Sequence, residues 1–348
     1  VLVGGAEIII LDEPTAVLTD AEAQRLLKTM RGLAERGKAV VLVTHKLPEV
    51  KAFAHVVTVM RGGRTLATVD PADRSIEQLT NLIVGADVRE RMQLSARTGD
   101  VVLDVRELVA ARGDGHQTVS RTSFAVRSGE IYGIAGVGGN GQTELAEAIM
   151  GVRLATGGRI EMAGNGDVTA ASPELRRSLG LASIAADRHT YGLAGQESVA
   201  NNFAISGLIE GQYGSWLSVD RGRMRSEAKK AIGEFDVQGV RDANQKAALL
   251  SGGNAQKLVL ARELSGSPKV IIAHSPSRGL DVRASASVHE RLRGARDHGA
   301  AVLLISEDLD EVLILSDRIG VMNRGHIVAE FKCPVGREIV GRAMVGHA

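Results

Sequence analysis

"AEIIILDEPTAVLTD", residues 6–20, lies over "PKVIIAHSPSRGLDV", residues 268–282, when the chain is laid upon itself, so that Pro14 falls on Pro276. The offset of 262 then holds without a gap. Gly37 falls on Gly299, "VVLVTHKLPEV" (40–50) on "VLLISEDLDEV" (302–312), and Gly63 on Gly325. The tails "NLIVGA" (81–86) and "RAMVGH" (342–347) agree after a shift of one residue. A repeat of this extent organises the chain and has to be settled before any fold is assigned.

Each copy reads as strand, helix, strand, helix, hairpin. "EIIILD" is a short apolar run of the kind buried on both faces of a parallel sheet. The helix after it starts at Thr19, with Glu22 three residues on as a capping box, and stops at Gly37. "AVVLVT" is the next strand, and "VVTVMRGGRTLATV" turns back on itself at Gly62 and Gly63. Strands that alternate with helices predict an α/β core around a parallel sheet. The polar stretch from about 70 to 100 reads as the end of a first domain and a linker, leaving domains at 1–69 and 101–348. The chain opens at Val1 directly into an apolar run. The first copy is therefore expected to hold the C-terminal half of its domain, with the rest upstream of residue 1.

Composition removes several classes. With 348 residues, 44% hydrophobic and 24% charged, the chain can bury a large core in about two domains. Forty-two basic against 41 acidic residues leave no global field for nucleic acid or an anionic membrane, so any anion site is local. Cys333 is the single cysteine, which rules out an internal disulfide or a cysteine-rich metal site. No apolar run approaches the roughly 18 residues of a membrane-spanning helix.

"GVGGNGQTEL" (136–145) joins a strand-like "GEIYGIAG" to a helix-like "TELAEAIMGV". With 41 glycines, a bare G-x-x-x-x-G arises by chance about five times, so context carries the reading. Gly136, Gly138, Gly139, Asn140 and Gly141 would aim free backbone N–H groups at a phosphate from a helix N-terminus. Gln142 takes the place of the lysine of such a loop, and Thr143 supplies the hydroxyl that would reach Mg²⁺. Gly136, Gly138 and Gly141 also fit a dinucleotide fingerprint, with Glu161 twenty residues on, and a plain strand-to-helix turn would use the same glycines. Neither alternative explains the repeat. Losing the charge-assisted lysine contact costs on the order of 1.5 to 3 kcal/mol, about 10- to 150-fold in affinity.

"LLSGGNAQKLVLAREL" (249–264) is the most specific string and resembles the signature motif of ATP-binding-cassette (ABC) ATPases. Ser251, Gly252, Gly253 and Asn254 would open a helix onto phosphate. "IIILDEP" resembles the Walker B strand of that family, which implies that Asp12 holds Mg²⁺ through water and Glu13 polarises the attacking water. His45 matches the family's switch histidine. In the second copy His274 and Ser275 stand for Asp12 and Glu13, and Glu307 for the histidine, while "SRGLD" (277–281) resembles the D-loop.

The resemblance implies the P-loop NTPase ABC cassette, a mixed sheet core with a helical subdomain, in one partial and one complete copy. Paired cassettes would give two ATP sites. Asp12, Glu13 and His45 with Ser251–Asn254 would form a competent one; Gln142, His274, Ser275 and Glu307 would mark a degenerate one. Together with "AADRHTYGL" (185–193), the motifs resemble the tandem ATPase subunits of bacterial simple-sugar and nucleoside importers. Ala185, Ala186 and Ala255 depart from that pattern. The implied ligands are ATP and Mg²⁺. The implied partners are integral-membrane permease subunits, met through the loop around Ala182 to Arg188, and indirectly a solute-binding protein, at the cytoplasmic face of the plasma membrane. A soluble tandem ABC ATPase of translation or DNA repair, and a non-catalytic interaction module, remain as alternatives.

Overall fold

The computed structural model describes residues 6–15, 20–44, 46–61, 64–76, 78, 79, 82, 95, 98–209, 211–215 and 218–344. The chain forms two units, one of Val1–Glu90 with Gly279–Ala286, the other of Arg91–Arg278 and Ser287–Ala348.

In the smaller unit, strands β1 (Ile8–Asp12) and β2 (Ala39–Val43) pair in parallel, Ile8 opposite Ala39 and Asp12 opposite Val43. The helix Asp20–Glu35 joins them and buries Ala23, Leu27 and Met30, a stripe at i, i+4 and i+7 that explains why this segment is helical. Gly37 ends the turn after it in the left-handed region at φ 85°, donating to the carbonyl of Ala34. The helix Leu47–Phe53 and the hairpin of β3 (Val57–Arg61) and β4 (Arg64–Val69) complete the order expected from the repeat. Thr19 and the glycines of the hairpin turn lie outside the described residues.

One expectation changes here. Only Ile9 of β1 is buried, while Ile8 and Ile10 are 65% and 69% exposed and Val41 and Val43 about half exposed. Alternate side chains of a strand face opposite ways, and among the described residues of this unit the two-stranded sheet packs on one face. The start of the stretch from 70 onward is held to this unit. The Lys51 ammonium donates to the carbonyls of Pro71, Ala72 and Arg74, and Leu79 is fully buried.

In the larger unit, β5 (Val101–Ala111) and β6 (Gln117–Arg127) form an antiparallel sheet with β8 (Gly157–Met162) and β9 (Gly166–Asp167), in the order β6-β5-β8-β9. Between them in sequence, β7 (Ile131–Ala135) enters a second, six-stranded sheet. That sheet is ordered β10 (Leu181–Ile184), β13 (Val270–His274), β14 (Ala301–Ser306), β7, β15 (Arg318–Asn323), β16 (His326–Lys332). Its pairs are parallel except β15 with β16, so the sheet is mixed, as the family resemblance implies. Every residue of β7 and β14 is buried, as befits central parallel strands. Between β10 and β13 the chain leaves the sheet for the helices Val199–Ile209, Arg221–Glu234 and Gly252–Leu264 and a short ribbon of β11 (Gly214–Ser215) and β12 (Ser218–Val219).

The offset read from the sequence holds element by element. β1 begins at Ile8 and β13 at Val270; the helix Asp20–Glu35 corresponds to Val282–Asp297, and Leu47–Phe53 to Leu309–Leu315. The pairing Ile8 to Ala39 recurs as Val270 to Ala301, and the register shift at Val59/Met60 recurs at Val321/Met322.

Candidate functional site

The carboxyl ends of β13, β14 and β7 lie side by side, the position at which open α/β sheets bind ligands. From β7 the chain passes through residues 136–141 into the helix Gln142–Met150, capped by Gly141 at φ 105°. A side chain at Gly141 would also collide with the carbonyl of Thr118, so glycine is required twice over. The loop is pinned from behind. The Asn140 side chain accepts from the backbone N–H of Arg324, and its carbonyl accepts from Gly325, which ties the loop to the β15–β16 turn.

Gln142 is 3% exposed, and its amide nitrogen donates to the carbonyl of Val137, 3.0 Å away. The side chain that replaces lysine thus closes the loop on itself. Thr143, next on the helix, is exposed.

Glu307 follows the last residue of β14, whose Ser306 pairs with Ala135 of β7. Its carboxylate lies against Gly138: a Cβ built there would stand 2.8 Å from the Glu307 Oε1. Ser275, after β13, adopts φ 43° and donates its N–H to the carbonyl of Ile305, 2.7 Å away. The neighbouring His274 has its pKa pushed down to about 4, by burial first and by the Arg278 charge second, with Glu144 opposing. His274 is therefore neutral at physiological pH. Glu144 itself is buried and paired with Arg112 at 2.8 Å. The structure thus brings together the loop, Gln142, Thr143, His274, Ser275 and Glu307. Among the described residues no group of three or more His, Cys, Asp or Glu could hold a metal ion. The end of β13 offers the His274 imidazole and, just after it, the Ser275 hydroxyl where Mg²⁺ favours carboxylate oxygen, so these residues do not fit that ion well.

Ser251 caps the helix Gly252–Leu264 with an exposed hydroxyl that bonds no N–H of its own helix and accepts instead from the Asn254 amide at 2.9 Å. Asn254 also accepts from the N–H of Gln238. Ala255 is fully buried, so the small residue at this departure from the family pattern is a core position. Nothing in the motif spacing points to Arg188 at this helix start. A Cβ on Gly252 would meet the Arg188 Nη2, whose guanidinium also donates to the carbonyl of Arg278 at 2.8 Å. No local spacing could reveal a contact made by a residue from a separate loop. Ala182, expected in that loop, is buried in β10 instead.

In the smaller unit Asp12 ends β1 with its side chain exposed, and Glu13 follows at φ 42°, donating its N–H to the carbonyl of Val43 at 2.8 Å. An exposed carboxylate at a strand end suits a hard cation held through water. Thr15 is buried and donates to Glu49, while the Lys46 ammonium donates to the Thr15 carbonyl, so the turn after Glu13 is tied to the helix Leu47–Phe53. His45 lies outside the described residues.

The strand order, the phosphate-type loop and the signature-like helix together define a nucleotide-binding cassette. The sequence profile of the ABC transporter family matches residues 119–278. The chain is 35% identical over 345 residues to a ribose import ATP-binding protein of Rubrobacter xylanophilus, covering 98% of this chain and 67% of that protein. It is 42% identical over 347 residues to a glucose import ATP-binding protein of Haloferax volcanii, and 41% identical over 324 residues to a nucleoside import ATP-binding protein of Lactococcus lactis. These matches cover 98% and 93% of this chain, but it spans only 62% and 64% of the two relatives. A nucleotide-free ATP-binding cassette from an ABC transporter superposes with a TM-score of 0.58 at 24% identity, over 70% of this chain and 94% of that one, which supports the fold. The chain belongs to the ABC transporter family of ATP-binding proteins.

Proposed function

We propose that the chain is part of an ATP-binding, ATP-hydrolysing subunit that powers import of a sugar or nucleoside. In this reading residues 1–69 are the C-terminal half of a first cassette, 70–100 its end and a linker, and 101–348 a second, degenerate cassette. The observation that carries it is the contrast between two equivalent strand ends. Asp12 and Glu13 end one, His274 and Ser275 the other, and Glu13 and Ser275 share the same left-handed backbone. The first pair has the carboxylates that Mg²⁺ and an attacking water require; the second has none.

The competent site is proposed to use Asp12 at the metal, Glu13 as the base, His45 at the γ-phosphate, and a signature of the type Ser251–Asn254. The degenerate site uses residues 136–143, keeps the backbone cradle and lacks the groups of phosphoryl transfer. The partners are integral-membrane permease subunits at the cytoplasmic face. Among the described residues no helix is long and apolar enough to cross a membrane. A groove lined by Leu175, Arg177, Ser206 and Ile209, with Leu175 and Ile209 at least half exposed, supports a docking face on the helical part of the cassette.

Phosphate release by the chain under steady-state conditions tests the reading. Turnover at background is expected, because residues 136–143 carry no lysine. Robust turnover that disappears in Gln142→Ala would contradict the assignment of a degenerate site. Co-purification with integral-membrane subunits is the expected result for the partners.

A further inference from the structure

We infer that the phosphate loop of the larger unit selects a nucleoside diphosphate over the corresponding triphosphate, with Glu307 turning the third phosphate away. The inference rests on reading residues 136–143 as a nucleotide site.

The groups that survive and the groups that are lost divide by phosphate. In a loop of this kind the backbone N–H groups cradle the α- and β-phosphates, whereas the lysine reaches the β- and γ-phosphates. The backbone is intact here: Gly141 caps the helix in the left-handed region, and Asn140 holds the loop to the β15–β16 turn. The contacts to the terminal phosphate are gone. The Gln142 amide is committed to the Val137 carbonyl and brings no charge.

Glu307 adds a repulsion. It stands at the carboxyl end of β14, beside β7, with its carboxylate against Gly138 of the loop. A diphosphate seated on the amides of residues 139–141 leaves that carboxylate in solvent. A triphosphate extends one more charged group toward it. Across β14, His274 is neutral and Ser275 has no charge, so neither supplies a cation nor a carboxylate to fix a shielding Mg²⁺. Like charges brought together in a partly desolvated site disfavour binding, and exposure of Glu307 keeps the effect moderate.

Calorimetric titration of the full chain with ADP and with the non-hydrolysable triphosphate AMP-PNP, with and without Mg²⁺, tests this. ADP is expected to bind about tenfold more tightly. Glu307→Gln should bring the two within about threefold by tightening AMP-PNP while leaving ADP unchanged. Raising the salt should narrow the wild-type gap as well. Equal affinities in the wild type, or a ratio untouched by Glu307→Gln, overturns the inference. So does AMP-PNP binding that requires both Mg²⁺ and Glu307, because the carboxylate would then be a metal ligand. If neither nucleotide binds, the nucleotide-site reading itself fails, an outcome distinct from binding without selectivity.

Discussion

Arg176 holds the far end of the helix that carries Gln142 and Thr143. It is 1% exposed, and its guanidinium donates to four carbonyls: Ala148 at 2.7 Å, Ile149 at 2.6 Å, Thr169 at 2.8 Å and Ala171 at 3.1 Å. Two of these are among the last carbonyls of Gln142–Met150, where a positive charge also meets the negative end of the helix dipole. Burial lowers its pKa, so the charge has a desolvation cost that the carbonyls offset. Arg176→Met keeps most of the volume and removes all four donors. Each lost bond is worth about 1 kcal/mol net, and among the described residues only the Ala148 carbonyl keeps a second donor, the N–H of Gly151. Relief of the buried charge returns about 1 to 2 kcal/mol, leaving a net destabilisation of about 2 to 3 kcal/mol. Urea unfolding followed by far-ultraviolet circular dichroism reads this directly. The midpoint should fall by about 1 M. Arg176→Lys, with one nitrogen for four carbonyls, should recover less than half. A Met variant within about 0.5 kcal/mol of wild type, or more stable, would refute the argument, because the carbonyls would then not depend on this side chain.

Two further outcomes follow from the site. His274 has a folded pKa of about 4 against an ordinary 6.5, so between those values the unfolded chain binds a proton that the folded chain refuses. Stability should therefore be unaffected by this group above pH 6.5 and fall by up to about 3 kcal/mol as the pH drops to 4. His274→Asn should remove that component, and superimposable pH–stability curves for the two proteins would contradict the assignment. Gln142→Lys should tighten ADP binding by about 10- to 150-fold, since the ammonium adds a charge-assisted bond at a buried position. Phosphate release should stay at background, because His274 and Ser275 bring no carboxylate to polarise an attacking water; hydrolysis restored by this one change would show that a catalytic group lies elsewhere.

The fold was legible wherever it depends on local pattern. Parallel strands, helices and hairpins of both copies announce themselves by apolar runs and glycine turns, and the constant offset ties the copies together. The burial of β1 was not legible, because an apolar run reads the same whether one or both of its faces are covered. Nor was Arg176, an arginine that sequence alone places on the surface. The residues at the strand ends could be found by aligning the copies, but their arrangement could not. That Gln142 folds back onto Val137, and that Glu307 lies against Gly138, depends on rotamers and strand order. Arg188 at Gly252 is a contact between separate segments with no trace in spacing.

Glu13 and Ser275 give the sharpest view of what the repeat preserves. Neither is glycine, yet they stand at φ 42° and 43°, a conformation that costs a side chain of this kind about 1 kcal/mol. Each sends its N–H to the neighbouring strand, to Val43 and to Ile305. A position that mattered only for chemistry would be free to relax once the carboxylate was lost, and serine in place of glutamate would remove the reason for the strain. The strain is retained, so it belongs to the turn that links the strand end to its neighbour. The second copy therefore conserves the geometry in which a catalytic carboxylate would stand, while His274, Ser275, Gln142 and Glu307 withdraw the charges that would use it. Retained shape with altered charge fits the proposed reading of this loop, in which the backbone would hold a nucleotide's inner phosphates without the charges to turn the nucleotide over.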